Sequence, residues 1–176
     1  SHSHSAPAQF SANTAMAVGL SRYRSGNHRR LVERSVEAAQ TALAALRPAR
    51  LGVWHEPAFD PTNEVTHDRR GANDPTYGKD PRLTVLAVRR PGGAPMAAIL
   101  NFGMHGTVFD SDNELFTEDA PGGLELKFEE HFFARSGQPI FAMFMQSGGG
   151  DASPAGDRFD HPGAARIELL GEDAAP

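Results

Sequence analysis

A nearly continuous apolar run late in the chain limits the possible folds more than any other feature. Residues 139–145 read Pro-Ile-Phe-Ala-Met-Phe-Met, and the polar, glycine-rich residues 146–154 follow at once. A short unbroken apolar run bounded by turn residues is typical of a strand that is buried on both faces. We therefore predict a central strand here, within a sheet that is covered on both sides.

Other strands can be assigned from their apolar residues and the turns between them. Residues 83–88 and 96–102 are largely apolar, and the turn sequence Pro-Gly-Gly-Ala-Pro at 91–95 separates them, which indicates a hairpin. Residues 51–54, Leu-Gly-Val-Trp, read as a further short strand. Residues 55–82 are rich in proline, glycine and charge and predict a long irregular connection of the kind that is often functional.

The spacing of the remaining apolar residues predicts two helices. Between Asn27, the expected N-cap, and Arg47, they recur in steps of three and four. These positions are Val32, Val36, Ala39, Leu43 and Leu46. A second helix is expected after Gly123, with Leu124, Phe128 and Phe132 on one face. The predicted fold class is α/β, a mixed β-sheet flanked by helices with the active site at strand ends.

Charge and composition exclude several kinds of partner and site. The 176 residues have a formal net charge of -5 and no basic stripe, so nucleic acid is not expected as a partner. No apolar run approaches the roughly 18 residues that a membrane span needs. The chain contains no cysteine, which excludes disulfides and thiolate metal ligands.

Three histidines are candidates for a metal site. His2 and His4 are two residues apart, and in a strand such residues share a face. Neutral imidazole is a good zinc ligand. The alternative is that Ser-His-Ser-His is a tag or a polar tail. His105 directly follows the apolar residues 96–102, at the position where open sheets place ligands, and a purely structural histidine is the alternative there.

The glycine-rich residues 146–154, Gln-Ser-Gly-Gly-Gly-Asp-Ala-Ser-Pro, are the most specific local signal. Glycines let backbone N–H groups approach a substrate oxygen, as an oxyanion hole requires. We expect this role for the backbone of Gly148, Gly149, Gly150 and Asp151, with Ser153 presenting a hydroxyl group. The alternative is a loop with an Asx turn at Asp151 and no chemistry. A serine nucleophile also needs a base, for which His161 is the nearest candidate.

Two acidic residues precede the second predicted helix. Capping and interaction with the helix dipole are the ordinary roles of such residues, and this is what we expect of Glu118. Asp119 is instead a candidate for a carboxylate that supports the metal ligands without touching the metal.

Taken in order, these motifs resemble the neutral/alkaline (non-lysosomal) ceramidase family. The matching segments are residues 1–7, 102–107, 113–119 and 146–154. In addition, Asp68 and Arg69 stand where the family has an Asn-Arg pair. Residues 80–86 resemble the start of the family strand that precedes the second metal-binding histidine. The similarity extends over essentially the whole chain.

The resemblance implies a zinc hydrolase that cleaves the N-acyl bond of ceramide to give a sphingoid base and a fatty acid. His2 and His105 match zinc ligands, and His4 matches an active-site histidine beside the metal. Ser153 matches an essential serine, and Arg69 an arginine near the active site. The implied cofactor is Zn²⁺, and the implied substrate is a ceramide-like lipid met at a membrane surface. The implied location is secreted or extracytoplasmic, with membrane association.

Departures from the family pattern bear on completeness and on substrate. The family completes its zinc site with a Glu and a Tyr much further along, whereas the tyrosines of this chain are Tyr23 and Tyr77. Residues 1–176 are therefore expected to be the N-terminal part of a ceramidase-like catalytic domain, inactive without the remainder of the polypeptide. Gly148 replaces a family Asn, and Ala-Pro-Ala at 6–8 replaces Gly-Pro-Gly. A non-catalytic fragment, or an amidase for a different N-acyl substrate, is the alternative.

Overall fold

The computed structural model describes residues 2–6, 13, 15, 23–71, 73–109 and 113–154. The chain divides into two units, Ala6–Pro48 and a larger one made of Ser1–Ser5 and Ala49–Pro176. The smaller unit contains helix α1 (Ser25–Ala44), none of whose residues is buried. Among the described residues, no helix is long and apolar enough to cross a membrane.

Helix α1 confirms the predicted helix but not its predicted start. The N-cap is Arg24, whose backbone is extended and whose side chain makes no capping hydrogen bond. Asn27 lies in the first turn, where its N–H donates to the Arg24 carbonyl at 3.0 Å. The Asn27 cap was therefore a wrong prediction, because the helix begins three residues earlier than predicted, without a side-chain cap.

The larger unit is built on a mixed four-stranded sheet and a two-stranded ribbon. The strands are β1 (Arg50–Glu56), β2 (Thr66–Asp68), β3 (Leu83–Arg89), β4 (Pro95–Phe102), β5 (Phe141–Gln146) and β6 (Ala152–Pro154). The sheet has the order β1-β3-β4-β5, and β2 pairs with β6. The β1–β3 and β3–β4 pairs are antiparallel, whereas β4 and β5 are parallel. Parallel neighbours need a crossover, and helix α2 (Asp119–Ser136) provides it.

The core lies between one face of the sheet and α2. Leu124 is buried in this core, and Phe128 packs against its edge, which confirms the predicted inner face of the helix. The sheet contributes alternate residues of β4 and β5, which are Ala98, Leu100, Phe102, Ala142 and Phe144. The helix ends where Gly137 adopts a left-handed φ of 67° and its N–H donates to the Phe133 carbonyl. The mixed sheet with flanking helix confirms the predicted fold class.

Two details of the larger unit differ from the sequence prediction. Residues 55–82 are not wholly irregular, since they contain β2 and a short 3-10 turn at Pro75–Tyr77. Strand β5 is an edge strand rather than a central one, and its residues alternate between buried and exposed. The prediction failed in two respects. The outer N–H groups of β5 donate to carboxylates of α2 rather than to another strand, and the described residues cover only the α2 side of the sheet.

Candidate metal centre

The site lies at the edge of the sheet where β4 and β5 both end. Because these strands are parallel, the loop after β4 (residues 103–109) and the glycine-rich loop after β5 (residues 147–151) start side by side. The N-terminal segment (residues 2–5) lies against them, and the His4 N–H donates to the Gly106 carbonyl at 2.8 Å. A Cβ at position 106 would collide with the His2 carbonyl oxygen. Glycine at this position therefore allows the N-terminal segment to approach closely.

The imidazoles of His2, His4 and His105 converge on one point. The Nε2 atoms of His2 and His105 are 3.1 Å apart, and those of His4 and His105 are 3.2 Å apart. One ligand atom from each of the three residues lies within 4.8 Å of the others. In a tetrahedral site with Zn–N bonds of about 2.0–2.1 Å, two ligating nitrogens are roughly 3.3 Å apart. The geometry therefore fits a single metal ion, and it offers His4 as a ligand equally with His2.

Backbone groups orient the His105 ring. The ring Nδ1 lies 3.2 Å from the Gly149 carbonyl oxygen. The backbone N–H of His105 donates to the Ala152 carbonyl at 2.8 Å. A carbonyl oxygen can only accept, so the hydrogen-bond pattern assigns the proton to Nδ1 and leaves the Nε2 lone pair for a metal.

The electrostatics of His2 favour its metal-binding form. Burial lowers the pKa of His2, and the neighbouring His105 and His4 lower it further, against a weaker opposing effect of Asp119. Neutral imidazole is the form that binds a metal. The site thus holds His2 in its ligating protonation state.

The Asp119 carboxylate connects the two segments that carry the histidines. It accepts hydrogen bonds from the Ser5 hydroxyl at 3.1 Å and from the Val108 N–H at 2.8 Å. It is 2% exposed and also accepts from the Ala120 N–H at the start of α2. Asp119 therefore links the N-terminal segment and the loop after β4 to the start of α2, and its role in supporting the metal ligands stays a prediction.

Ser153 lies beside the histidine cluster, on strand β6. It is buried, and the preceding residue, Ala152, accepts the hydrogen bond from the His105 N–H. In the β2–β6 ribbon, Ser153 is directly opposite His67. Directly opposite residues of an antiparallel pair project to the same face. His67 was missed in the sequence, while His161, the predicted base candidate, lies outside the described residues.

Arg69 holds the glycine-rich loop through that loop's carbonyl groups. Its guanidinium donates to the Gly150 carbonyl at 3.0 Å, and its backbone N–H donates to the Asp151 carbonyl at 2.9 Å. Arg69 therefore stabilises the glycine-rich loop, and its catalytic role stays a prediction.

The amides expected to form an oxyanion hole are not equivalent. The Gly148 N–H donates to the Ser147 hydroxyl at 2.6 Å, and the Gly149 N–H donates to the Ser147 carbonyl at 2.8 Å. Within the described part of the chain, the Gly150 and Asp151 N–H groups have no such acceptor. Of the four positions, Gly150 and Asp151 are therefore the better donors to a substrate oxygen.

We expect Gly149→Ala to weaken the site more than Gly148→Ala. A Cβ at position 149 would lie 2.5 Å from Gln146 Nε2 and 2.8 Å from the Met104 nitrogen, so the loop must shift. The shift moves the carbonyl that orients His105, which should lower zinc affinity about 10- to 100-fold. A Cβ at position 148 meets nothing within 4 Å. Zinc titration of both variants measures the difference, and equal affinities would contradict this account of the loop.

Fold and site together define an α/β domain with a three-histidine candidate metal centre at its strand ends. The chain belongs to the neutral/alkaline non-lysosomal ceramidase family, whose N-terminal sequence model matches residues 1–160. This confirms the family resemblance found in the motifs.

Individual relatives agree with the family match. Neutral ceramidase A of Dictyostelium discoideum is 29% identical over 168 residues, covering 87% of this chain and 23% of that protein. Neutral ceramidase of Mycobacterium tuberculosis is 26% identical over 163 residues, covering 87% of this chain and 25% of that protein. The solved structure of neutral ceramidase from Pseudomonas aeruginosa matches with a TM-score of 0.82 at 22% identity, over 99% of this chain and 29% of that one. The chain thus spans about a quarter of its curated relatives, which are named as hydrolases of ceramide.

Proposed function

We propose that this chain supplies part of the active site of a zinc-dependent amide hydrolase. The enzyme would cleave the N-acyl bond of ceramide or a related lipid amide. The observation that carries the proposal is the convergence of three Nε2 atoms at separations suited to one tetrahedral ion. Family membership supports a metal cofactor and ceramide as the substrate class. The remaining coordination positions would be filled by the substrate, by water and by the rest of the polypeptide.

The reaction needs a polarised carbonyl, a nucleophile and a proton for the leaving amine. Water adds its oxygen to the acyl carbon, the C–N bond breaks, and the amine nitrogen takes up a proton. The chemistry that zinc supplies when bound is polarisation of the carbonyl and a bound-water pKa lowered toward about 7. His2 and His105 would hold the ion, and His4, whose Nε2 lies 3.2 Å from that of His105, would move the proton.

Ser153 has two possible roles in this scheme, covalent nucleophile or donor of a hydrogen bond to the developing oxyanion. Ser153 directly follows Ala152, whose carbonyl accepts the hydrogen bond from the His105 backbone N–H, and this position supports either role. The Gly150 and Asp151 amides would contribute to the oxyanion site. Arg69 would hold those amides in place through the loop carbonyls.

We expect Ser153→Ala in the full-length enzyme to lower kcat by at least about 100-fold, the usual cost of losing one oxyanion donor. Zinc content should stay at the wild-type level, because the hydroxyl is not a ligand. Ser35→Ala, on an exposed face of α1, is the matched control. Turnover is measured with ceramide, and wild-type kcat in the Ser153 variant would exclude both roles.

A different N-acyl amide is a second candidate substrate. Gly148 stands where the family pattern has Asn, and the space around its Cβ position is open. This leaves room for an acyl or headgroup shape other than that of ceramide. Assays of the full-length protein with ceramide beside short N-acyl amides distinguish the two substrates, and no turnover of either would favour a non-catalytic role.

We also propose a secreted or extracytoplasmic, membrane-associated location, which cell fractionation can test.

A further inference from the structure

The sheet face opposite α2 is apolar and uncovered in the described part of the chain. Two rows of paired residues cross all four strands of this face. One row is Val53, Leu86, Ile99 and Met143, and the other is Leu51, Val88, Ala97 and Phe141. In the outer strands Val53 is 72% exposed, Leu51 68% and Phe141 59%. We call these eight residues the open face.

No charged side chain interrupts the open face. The row that follows it toward the candidate metal centre is polar and consists of His55, Thr84 and Asn101, ending at Met145. These polar groups are hydrogen-bonded locally, His55 to the Thr84 hydroxyl and Asn101 to the Met145 carbonyl. An apolar field with a polar border is the pattern of a surface that is buried against protein.

The outer edge of β5, beside the open face, is already occupied by side chains of α2. The Ala142 N–H donates to the Glu129 carboxylate at 2.8 Å, and the Phe144 N–H donates to the Glu125 carboxylate. These α2 carboxylates take the hydrogen bonds that another strand would need in order to join β5. Additional structure on this side would therefore cover the face of the sheet rather than extend the sheet beyond β5.

The size of the open face favours polypeptide of the same protein over a second copy. Four strands about 4.8 Å apart, with three residues of each strand in the open face, give a projected area on the order of 200 Å². A stable dimer buries about 800 Å² per partner, and a layer within one chain has no association entropy to overcome. The chain spans only 23% to 29% of its relatives, so most of the length of a family member lies outside it.

We propose that the open face is the docking surface for a further layer of the same polypeptide, from outside residues 1–176. The layer presents apolar side chains to Val53 and Met143 and carries no unpaired charge opposite them. It turns β5 into the strand covered on both faces that its sequence predicts. The sheet then lies inside a larger domain, with the polar row at the metal-site end of the buried surface.

Single cysteines test the proposal, because residues 1–176 contain none. V53C and M143C place thiols on the open face. A142C, next to Met143 on the same strand, places one under α2, where Ala142 is 2% exposed. Alkylation rates are measured at peptide level by mass spectrometry, in the 176-residue chain and in the full-length protein. Each rate is divided by the rate of the same variant in denaturant.

We expect the thiols of V53C and M143C to react freely in the 176-residue chain. In the native full-length protein they should be protected at least about tenfold, since a covered thiol reacts only through local opening. The A142C thiol should be protected in both. Free reaction at 53 and 143 in the full-length protein would overturn the proposal. So would protection that grows with concentration in the short chain, protection that requires phosphatidylcholine vesicles, or a natural polypeptide with no residues outside 1–176.

Discussion

The His105→Ala variant should lose zinc affinity by at least about 100-fold, more than the 10- to 100-fold typical when only a supporting residue is lost. His105 Nε2 is the atom common to both short contacts, at 3.1 Å from His2 and 3.2 Å from His4. Without this atom, His2 and His4 remain on the N-terminal segment, and the loop after β4 no longer contributes a ligand. Affinity is measured by competition with a coloured zinc chelator, and zinc content by elemental analysis after gel filtration.

His55→Ala is the matched control for this loss. His55 lies on β1 and hydrogen-bonds to the Thr84 hydroxyl, so its removal should leave zinc affinity unchanged. His2→Ala should behave like His105→Ala. His4→Ala separates two roles, since retained zinc with lost turnover would assign His4 to proton transfer, and lost zinc would make it a third ligand. Unchanged zinc content in the His105 variant would refute the proposed site.

The second large effect is expected in the buried ion pair of Lys79 and Asp60. The two side chains are 9% and 3% exposed, and Lys79 Nζ lies 2.6 Å from the Asp60 carboxylate. The same ammonium group donates to the carbonyl and hydroxyl oxygens of Thr66, the first residue of β2. Lys79→Met leaves a buried carboxylate without its cation, which should lower the free energy of unfolding by about 3–5 kcal/mol. Urea denaturation measures this change.

Acidification should reduce the difference between this variant and the wild type. Burial raises the pKa of the Asp60 carboxyl, but hydrogen bonds from Lys79 and from the Val65 and Thr66 N–H groups outweigh it and hold the pKa below 3.8. A lowered folded-state pKa stabilises the protein above the unfolded value, and this contribution is lost as the pH falls through the folded-state pKa. Without Lys79, the carboxyl takes up a proton at milder acidity, which relieves the penalty.

Arg82→Met is a nearby control for the ion pair. Arg82 pairs with Asp80 at 2.7 Å, but its side chain is 64% exposed. An exposed pair of this kind is worth less than about 1 kcal/mol. Equal destabilisation by the two variants would show that burial does not set the cost of losing Lys79.

The sequence predicts those parts of the site whose signals are local. His105 directly follows an apolar strand, and a strand end is a common place for a ligand. Ser153 and its glycines follow β5 in the same way. The parallel pairing of β4 and β5 then brings these two loops together. The convergence of His2 and His4 on His105 could be expected only from the order of family motifs, because no local rule joins residues about a hundred positions apart.

Other features depend on pairings that leave no periodic signal. The ribbon of β2 and β6 has three residues in each strand, too few for alternation to be seen, so His67 opposite Ser153 was missed. The Lys79–Asp60 pair joins two polar residues that look like ordinary loop surface in the sequence. The apolar run of β5 predicted a strand buried on both faces, but the described residues cover only its α2 face, and its residues alternate between buried and exposed.

A metal ion at the proposed site would couple the stability of the docked N-terminal segment to the supply of metal. An ion held by His2 and His105 would close a loop of about a hundred residues, which is entropically costly in the unfolded chain. At a free zinc concentration a thousand times the Kd, binding adds about 4 kcal/mol to folding. When zinc is scarce, the hydrogen bonds of residues 2–5 to the loop after β4 and to Asp119 would hold the segment alone. Local opening of the segment would then separate His2 and His4 from His105, so that a shortage of metal disperses the site before the sheet unfolds.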